Sequence, residues 1–282
     1  YRAGLVKELF ENFDLKVLCG NPGNNSGFES LRQPGLHVEN CPRYSFFGGR
    51  VFFQQGVIRR IWSERPRFVF ACASTRDITF WLTLILCRIL NIHVYSHGQG
   101  LYSNRKQGWV IKRVYRLLVA LTHKYVCYTE ISKTGLLEAG CSSAKVEVAE
   151  NSIEFSVDAA GIKKKGDEKG ILFVGRLRTG SGLELLVEAM TALRALGEDV
   201  VLHVVGSGEL ETMYSEKFPM PWIVFHGAVF DPKAILAISQ ECRFGCYPGN
   251  AGLSVVHYFS LKTPPIIHDD INMHMGPEPS YV

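Results

Sequence analysis

The sequence predicts an α/β protein of two doubly wound, Rossmann-like domains, and three observations predict it. Short apolar runs alternate with helix-period stretches through residues 1–152. Between 153 and 169 the pattern dissolves into SIEFSVDAAGIKKKGDEK-type sequence, with basic residues beside Gly and Asp and no apolar period. Regular alternation then resumes and runs from 170 to 282. Strand–helix alternation builds βαβ units and a mainly parallel sheet, and 282 residues exceed the usual size of one core. The expected organisation is a first domain over 1–152, a linker over 153–169 and a second domain over 170–282.

Taken in order, YRAGLVKELFENF opens the chain as an amphipathic helix, followed by the strand KVLCG. A helix is expected around FFQQGVIRRIWSE, then the strand FVFACA, the helix TFWLTLILCRIL and the strand HVYSHG. WVIKRVYRLLVALTHK has helical period, KYVCYT reads as a strand, and SKTGLLEAG as a short helix with Ser132 as N-cap and Gly140 closing it. KVEVAEN ends the half. The second half reads strand ILFVGRL, helix LELLVEAMTALRALG, strand VVLHVVGSG, helix ELETMYSEKF, strand WIVFHGAV, helix DPKAILAISQE, strand FGCYPG, helix GLSVVHYFSLK and strand PPIIHDD. Open α/β sheets bind ligands beyond the carboxyl ends of their strands, so function is sought in the strand-to-helix loops and in a cleft between two such domains.

Composition narrows the class. Apolar residues are 46% and charged residues 21%, as in folded proteins, and the net charge of +4 is spread along the chain, which gives no footprint for nucleic acid. Eight scattered cysteines without a CxxC pair read as buried free thiols of a cytoplasmic protein. The strongest apolar run, ITFWLTLILC, is about half of what a bilayer span needs, and Asp77 and Arg88 bracket it, so it reads as a core helix.

The chemistry gathers first at ILFVGRLRTGSGLELL. A buried strand runs into Gly175-Arg176-Leu177, then a Gly-rich turn, then a helix whose first turn presents free backbone N–H groups. A helix N-terminus and a bidentate arginine suit a diphosphate. An ordinary βα turn with a surface arginine has the same local sequence. The ordered set that follows resolves the pattern: FVGRL with LELLVEAM, VVLHVVGSGE, IVFHGAV with Asp231-Pro232, AGLSVVH with TPPII, and GPEPSYV. In that order and spacing, residues 170–282 resemble the donor-binding domain of the retaining GT-B glycosyltransferases, the large group 1 family that includes bacterial lipopolysaccharide and capsule enzymes.

The resemblance implies specific roles. Arg176 matches the arginine set on the donor diphosphate, with Gly175 before it. The family's lysine five residues on falls at Ser181, and Arg178 is the candidate replacement. The family's two glutamates separated by seven residues fall at Gly249 and His257. Asn250, Ala251, Gly252 and Leu253 complete the donor-side loop, with Asn250 and His257 as candidate hydrogen-bond partners in place of the carboxylates. Helix packing is the other reading of His257. His97, ending a strand in YSHG, matches the histidine such enzymes carry near the donor sugar, and is the candidate catalytic residue. A capped structural histidine is its alternative. Glu130 and Ser132 read as helix caps.

The helix within Arg105–Lys124 carries Arg105, Lys106, Lys112, Arg113, Arg116 and Lys124 around an apolar stripe. It fits an anionic membrane surface on the inner face of the cell membrane, and a solvated helix face equally. Gly206-x-Gly208 lacks the third glycine of a dinucleotide fingerprint and reads as a turn giving the backbone close approach to a ligand. No Asp-x-Asp, CxxC or HExxH occurs, so no metal and no cofactor is expected, the nucleotide-sugar being a substrate. The expected function is metal-independent, retaining transfer of a sugar from a nucleotide-diphosphate donor to a saccharide or lipid-linked acceptor in cell-surface polysaccharide synthesis. A non-catalytic binding or scaffold paralogue and a GT-B nucleotide-sugar epimerase are the alternatives. The resemblance also leads one to expect a first strand before Tyr1 and further helices after Val282.

Overall fold

A computed structural model describes residues 3–20, 35, 37–102, 106–153, 164, 166–270, 273, 274, 276 and 278–282. The chain divides into two compact units, Arg2–Glu150 and Asn151–Val282. The Lys163 and Lys165 positions and Arg105 lie outside the described residues.

The first unit runs α1 (Ala3–Asn12), β1 (Lys16–Cys19), β2 (His37–Asn40), β3 (Arg43–Phe46), β4 (Val51–Gln54), α2 (Val57–Glu64), β5 (Phe68–Cys72), α3 (Ile78–Ile89), β6 (His93–Gly98), α4 (Trp109–Leu121), β7 (Lys124–Cys127), α5 (Glu130–Glu138) and β8 (Val146–Val148). Strands β5-β6-β7-β8 form a parallel sheet in that order, β1 pairs β2 in parallel, and β3 and β4 make an antiparallel hairpin. Leu84 and Cys87 of α3, Leu118 of α4, Cys127 of β7 and Leu136 of α5 have no exposed surface and centre the core.

Three local readings change. FFQQ is not the start of a helix but strand β4; the helix begins at Val57, after Gly56 takes a left-handed φ of 93° that ends the strand. The N-cap of α5 is Thr129, whose hydroxyl accepts from the Ser132 amide at 3.2 Å, so Ser132 is the capped position and not the cap. Helix α4 stops at Leu121, and Lys124 lies in β7, ion-paired with Glu147. What closes α4 is Lys145, whose Nζ donates to the carbonyls of Ala120 at 2.6 Å and Thr122 at 2.7 Å.

The second unit runs β9 (Gly170–Val174), α6 (Leu183–Ala195), β10 (Val201–Val205), α7 (Glu211–Lys217), β11 (Ile223–Gly227), α8 (Pro232–Gln240), β12 (Cys242–Tyr247), α9 (Ser254–Ser260), β13 (Pro265–Ile267) and a closing 3-10 turn Glu278–Tyr281. All five strands are parallel, in the order β11-β10-β9-β12-β13. The chain steps outward from β9 to β10 and β11 on one side, then crosses to β12 and β13 on the other. The strand order therefore reverses between β9 and β12. Leu172, Phe173, Leu177, Leu183, Leu202 and Tyr258 are fully buried in its core. Asp231 caps α8 by accepting from the Lys233 amide at 3.0 Å, with Pro232 at the first helical position.

Five cysteines are buried, but Cys72, expected among them, is exposed on β5. Burial pushes the thiols of Cys127 and Cys242 up to about 12, which keeps them protonated and unreactive.

Candidate functional site

The loops after β9 and β12 meet at the point where the strand order reverses, the position at which doubly wound sheets bind ligands. Their contact is made by backbone. The amide of Gly249 donates to the Ser181 carbonyl at 3.2 Å and that of Asn250 to the Gly180 carbonyl at 2.8 Å. Arg178 adds a third tie, Nη2 to the Asn250 carbonyl at 3.2 Å, and Nη1 donates to Thr179 at 3.2 Å. Residues 178–182 and 248–250 thus form one zipped double loop.

The zipper explains Gly249. A Cβ there would stand 2.1 Å from the Gly180 carbonyl oxygen and 2.6 Å from the Ser181 carbonyl carbon. No side chain fits while the two loops hold this distance, so the position matched to a family glutamate is closed to any carboxylate. Gly175 is required for packing, since its Cβ would come 2.6 Å from the Tyr247 ring. Burial raises the pKa of Tyr247, and the neighbouring Arg178 pulls it partly back.

Arg176 is exposed at the end of β9 and forms no ion pair among the described residues. Helix α6 opens at Gly182, in the left-handed region with φ 76°, and has no side-chain cap. Its first-turn donors are thus left for a ligand or water. Ser181 is fully buried, its hydroxyl 3.5 Å from that of Tyr214, which donates in turn to Glu184 at 2.9 Å. The hydroxyl faces the core and supplies no cation, so the positive charge of this loop rests on Arg176, Arg178 and the helix end.

On the β12 side, Ala251 is fully buried and its amide donates to His274 Nδ1 at 3.2 Å. Gly252 and Leu253 lead into α9, and their amides make no hydrogen bond among the described residues. His257 sits on α9 with Nδ1 shielded and without a hydrogen-bond partner among the described residues, and burial lowers its pKa. The Gly206-x-Gly208 reading is corrected: a Cβ on Gly206 would lie 1.9 Å from the Gly175 carbonyl oxygen, and one on Gly208 2.2 Å from that of Leu177. These glycines admit the chain's own strand extension, with Gly175 donating to Val205 and Leu177 to Ser207, both at 3.0 Å, and not a ligand.

In the first unit His97 lies at the carboxyl end of β6, half-buried, between Phe70 at 5.9 Å and Tyr128 at 4.5 Å between ring centroids. The structure brings the second-unit residues together around one double loop, while His97 belongs to the other unit. Sequence reasoning missed Glu278, which is 4% exposed and accepts from Asn151 Nδ2 at 2.7 Å. The available signal was that Glu278 is the single acidic residue between 271 and 282.

The fold is the one seen in solved GT-B glycosyltransferases, as the sequence resemblance implied. Residues 168–275 match the family described as glycosyl transferases group 1. Among solved structures the chain is similar to the lipopolysaccharide outer core galactosyltransferase WaaB, at 12% identity and a TM-score of 0.57, over 89% of this chain and 71% of that one. It is similar also to Anabaena Alr3699/HepE in complex with UDP, at 14% identity and a TM-score of 0.57, over 82% and 67% of the two chains. The GtfA/B complex matches with a TM-score of 0.55 and 13% identity, over 79% of this chain and 49% of that one. No curated protein matches by sequence.

Proposed function

We propose that the chain transfers a sugar from a nucleotide-diphosphate donor to a saccharide or lipid-linked acceptor, metal-independently and with retained anomeric configuration, in cell-surface polysaccharide synthesis. The observation that carries this is the exposed Arg176 beside the uncapped N-terminus of α6, at the reversal point of the second sheet. Departure of a nucleoside diphosphate builds negative charge on its terminal phosphate. A preorganised guanidinium and oriented backbone N–H groups stabilise that charge more in the transition state than before it. Arg178 holds the double loop in register and adds positive charge at its edge. His97 serves the sugar side by donating to a hydroxyl. The UDP bound in the HepE structure supports a nucleotide donor for this chain as well, and the lipopolysaccharide role of WaaB supports a surface saccharide as acceptor. No cofactor takes part. The enzyme works in the cytoplasm, with α4 resting on the inner face of the membrane.

Arg176→Ala is the decisive variant. Loss of a charge-assisted contact to the leaving group lowers turnover of the donor by about 10²–10³-fold, measured as release of nucleoside diphosphate from a panel of nucleotide-sugars. Unchanged turnover would refute the assignment. The closed Gly249 position and the buried Ser181 favour a second reading, a chain that binds the donor without transferring its sugar. Calorimetric binding without turnover in the unmodified protein would select it.

A further inference from the structure

Glu278 presents a carboxylate with one oxygen employed and one idle. Oε1 accepts from Asn151 Nδ2 at 2.7 Å, whereas Oε2 is shielded from solvent and has no hydrogen-bond partner among the described residues. The residue forms no ion pair among the described residues. A buried acceptor of this kind is unfavourable until a donor reaches it. The tie to Asn151 occupies only one of the two carboxylate oxygens.

The idle oxygen has a definite place. Its neighbours are two glycines: a Cβ on Gly276 would fall 2.0 Å from Oε2 and one on Gly252 3.8 Å from it. Gly252 belongs to the loop after β12, the donor-side loop that the sequence resemblance implies. The link between the two glycine segments is a hydrogen bond from the Gly276 amide to the Ala251 carbonyl at 3.5 Å, the outer limit of such bonds. Gly252 and Gly276 thus bring backbone without side chains up to the oxygen. The chemistry of the ligand follows from the charge. An ionised carboxylate only accepts, so it repels phosphate and takes a hydroxyl.

We infer that Glu278 is a binding residue of the donor site, its Oε2 accepting a hydrogen bond from a hydroxyl of the nucleotide-sugar once the Gly252–Gly276 contact parts. The inference rests on the donor-binding function proposed for the second unit. It gives the chain one hydroxyl-accepting carboxylate where Gly249 and His257 supply none.

Calorimetric titration of the full 282-residue chain with UDP, GDP and ADP selects the best-bound diphosphate. Its 2′,3′-dideoxy analogue, its glucose conjugate and inorganic pyrophosphate are then titrated into the unmodified chain, Glu278→Gln and Asn151→Ala. Glu278→Gln is expected to fold with an equal or higher Tm, because the amide matches the carboxyl group in size and its oxygen can still accept from Asn151 Nδ2. It weakens the hydroxyl-bearing probe by about tenfold or more, the scale of a hydrogen bond to a charged group, and leaves pyrophosphate unchanged. If the ribose is the partner, the loss appears with the diphosphate and vanishes with the dideoxy analogue. If the sugar is the partner, the loss appears with the glucose conjugate alone. Asn151→Ala, which frees Oε1 and leaves Oε2 in place, keeps its nucleotide affinity. Overturning results are an unfolded Glu278→Gln chain, equal affinities across the nucleotide probes, an equal loss toward pyrophosphate, or a matching loss in Asn151→Ala. Should the unmodified chain bind none of the nucleotides, the donor-site assignment itself falls and takes this inference with it. Binding by the unmodified chain with no effect of Glu278→Gln removes the inference alone.

Discussion

Gly249 shows how far a single position can mislead when only its chemistry is read. From the sequence it is a lost carboxylate; in the structure it is a contact that tolerates no Cβ, because the Ser181 and Gly180 backbone lies against it. Arg176 and Arg178 were legible as cations, since their character is local. The burial of Ser181 under Tyr214 was not, because Tyr214 is 33 residues away. Restoring the family residue should therefore harm the protein. Gly249→Glu forces the two loops apart, at a cost of about 1–3 kcal/mol for overpacking, seen as a lower denaturant midpoint, and removes nucleotide binding with it. Gly252→Ala, whose Cβ would meet nothing closer than 3.8 Å, should leave the midpoint unchanged and serves as the control. A Gly249→Glu chain as stable as the unmodified one would show that the zipper is not rigid.

At the scale of elements, the alternation of apolar runs and helix periods revealed the strands and helices of the second unit, since every parallel strand there is a short apolar run between two turns. The hairpin of β3 and β4 escaped. All four residues of β3 are exposed and all four of β4 half-buried, so neither strand alternates, and its apolar residues were absorbed into the helix that follows. Helix α4 was legible in its core but not at its end, which Lys145 sets from a distant segment. Its outer face carries Trp109, Val110 and Leu117, each more than half exposed, beside Lys112, Arg113 and Arg116. The helix packs on α3, whose Ile78, Leu82, Ile85 and Ile89 are also exposed along one stripe. No helix among the described residues is long and apolar enough to cross a membrane. An apolar face with a basic border suits the surface of one, each cation near an anionic bilayer contributing about 1 kcal/mol at moderate salt. The chain should co-sediment with vesicles containing phosphatidylserine at low salt, and Lys112→Glu with Arg113→Glu and Arg116→Glu should abolish this. Absence of co-sedimentation at low salt would leave α4 as an ordinary solvated helix.

Across the whole molecule, each unit has its own buried core, so heating should melt the chain in two transitions. The proposed donor site lies in the second unit, and a ligand stabilises only what it binds. At one hundred times its dissociation constant, nucleotide should raise the second-unit transition by about 2.7 kcal/mol and leave the first in place. Acid marks the same unit. His203 Nδ1 and His226 Nε2 lie 3.1 Å apart, joining β10 to β11, and at least one ring must stay neutral for that hydrogen bond. Burial lowers the pKa of both; His226 lowers that of His203 further, and Glu241, 3.7 Å from His203 Nε2, offsets this in part. Folded-state values below the unfolded value mean that the unfolded chain binds more protons in the interval between them. Their contribution to stability is present above the ordinary histidine range, near pH ~6.5, and is lost as the pH falls through the lowered values. His257, also lowered by burial, acts in the same direction. Scanning calorimetry from about pH 7.5 down to about pH 5, either side of the ordinary histidine value, should show the second-unit transition falling, and His203→Asn with His226→Asn should flatten the fall without removing it. A second-unit transition that stays level with acid, or one that falls equally in the double variant, would show that the histidine pair does not couple this sheet to pH.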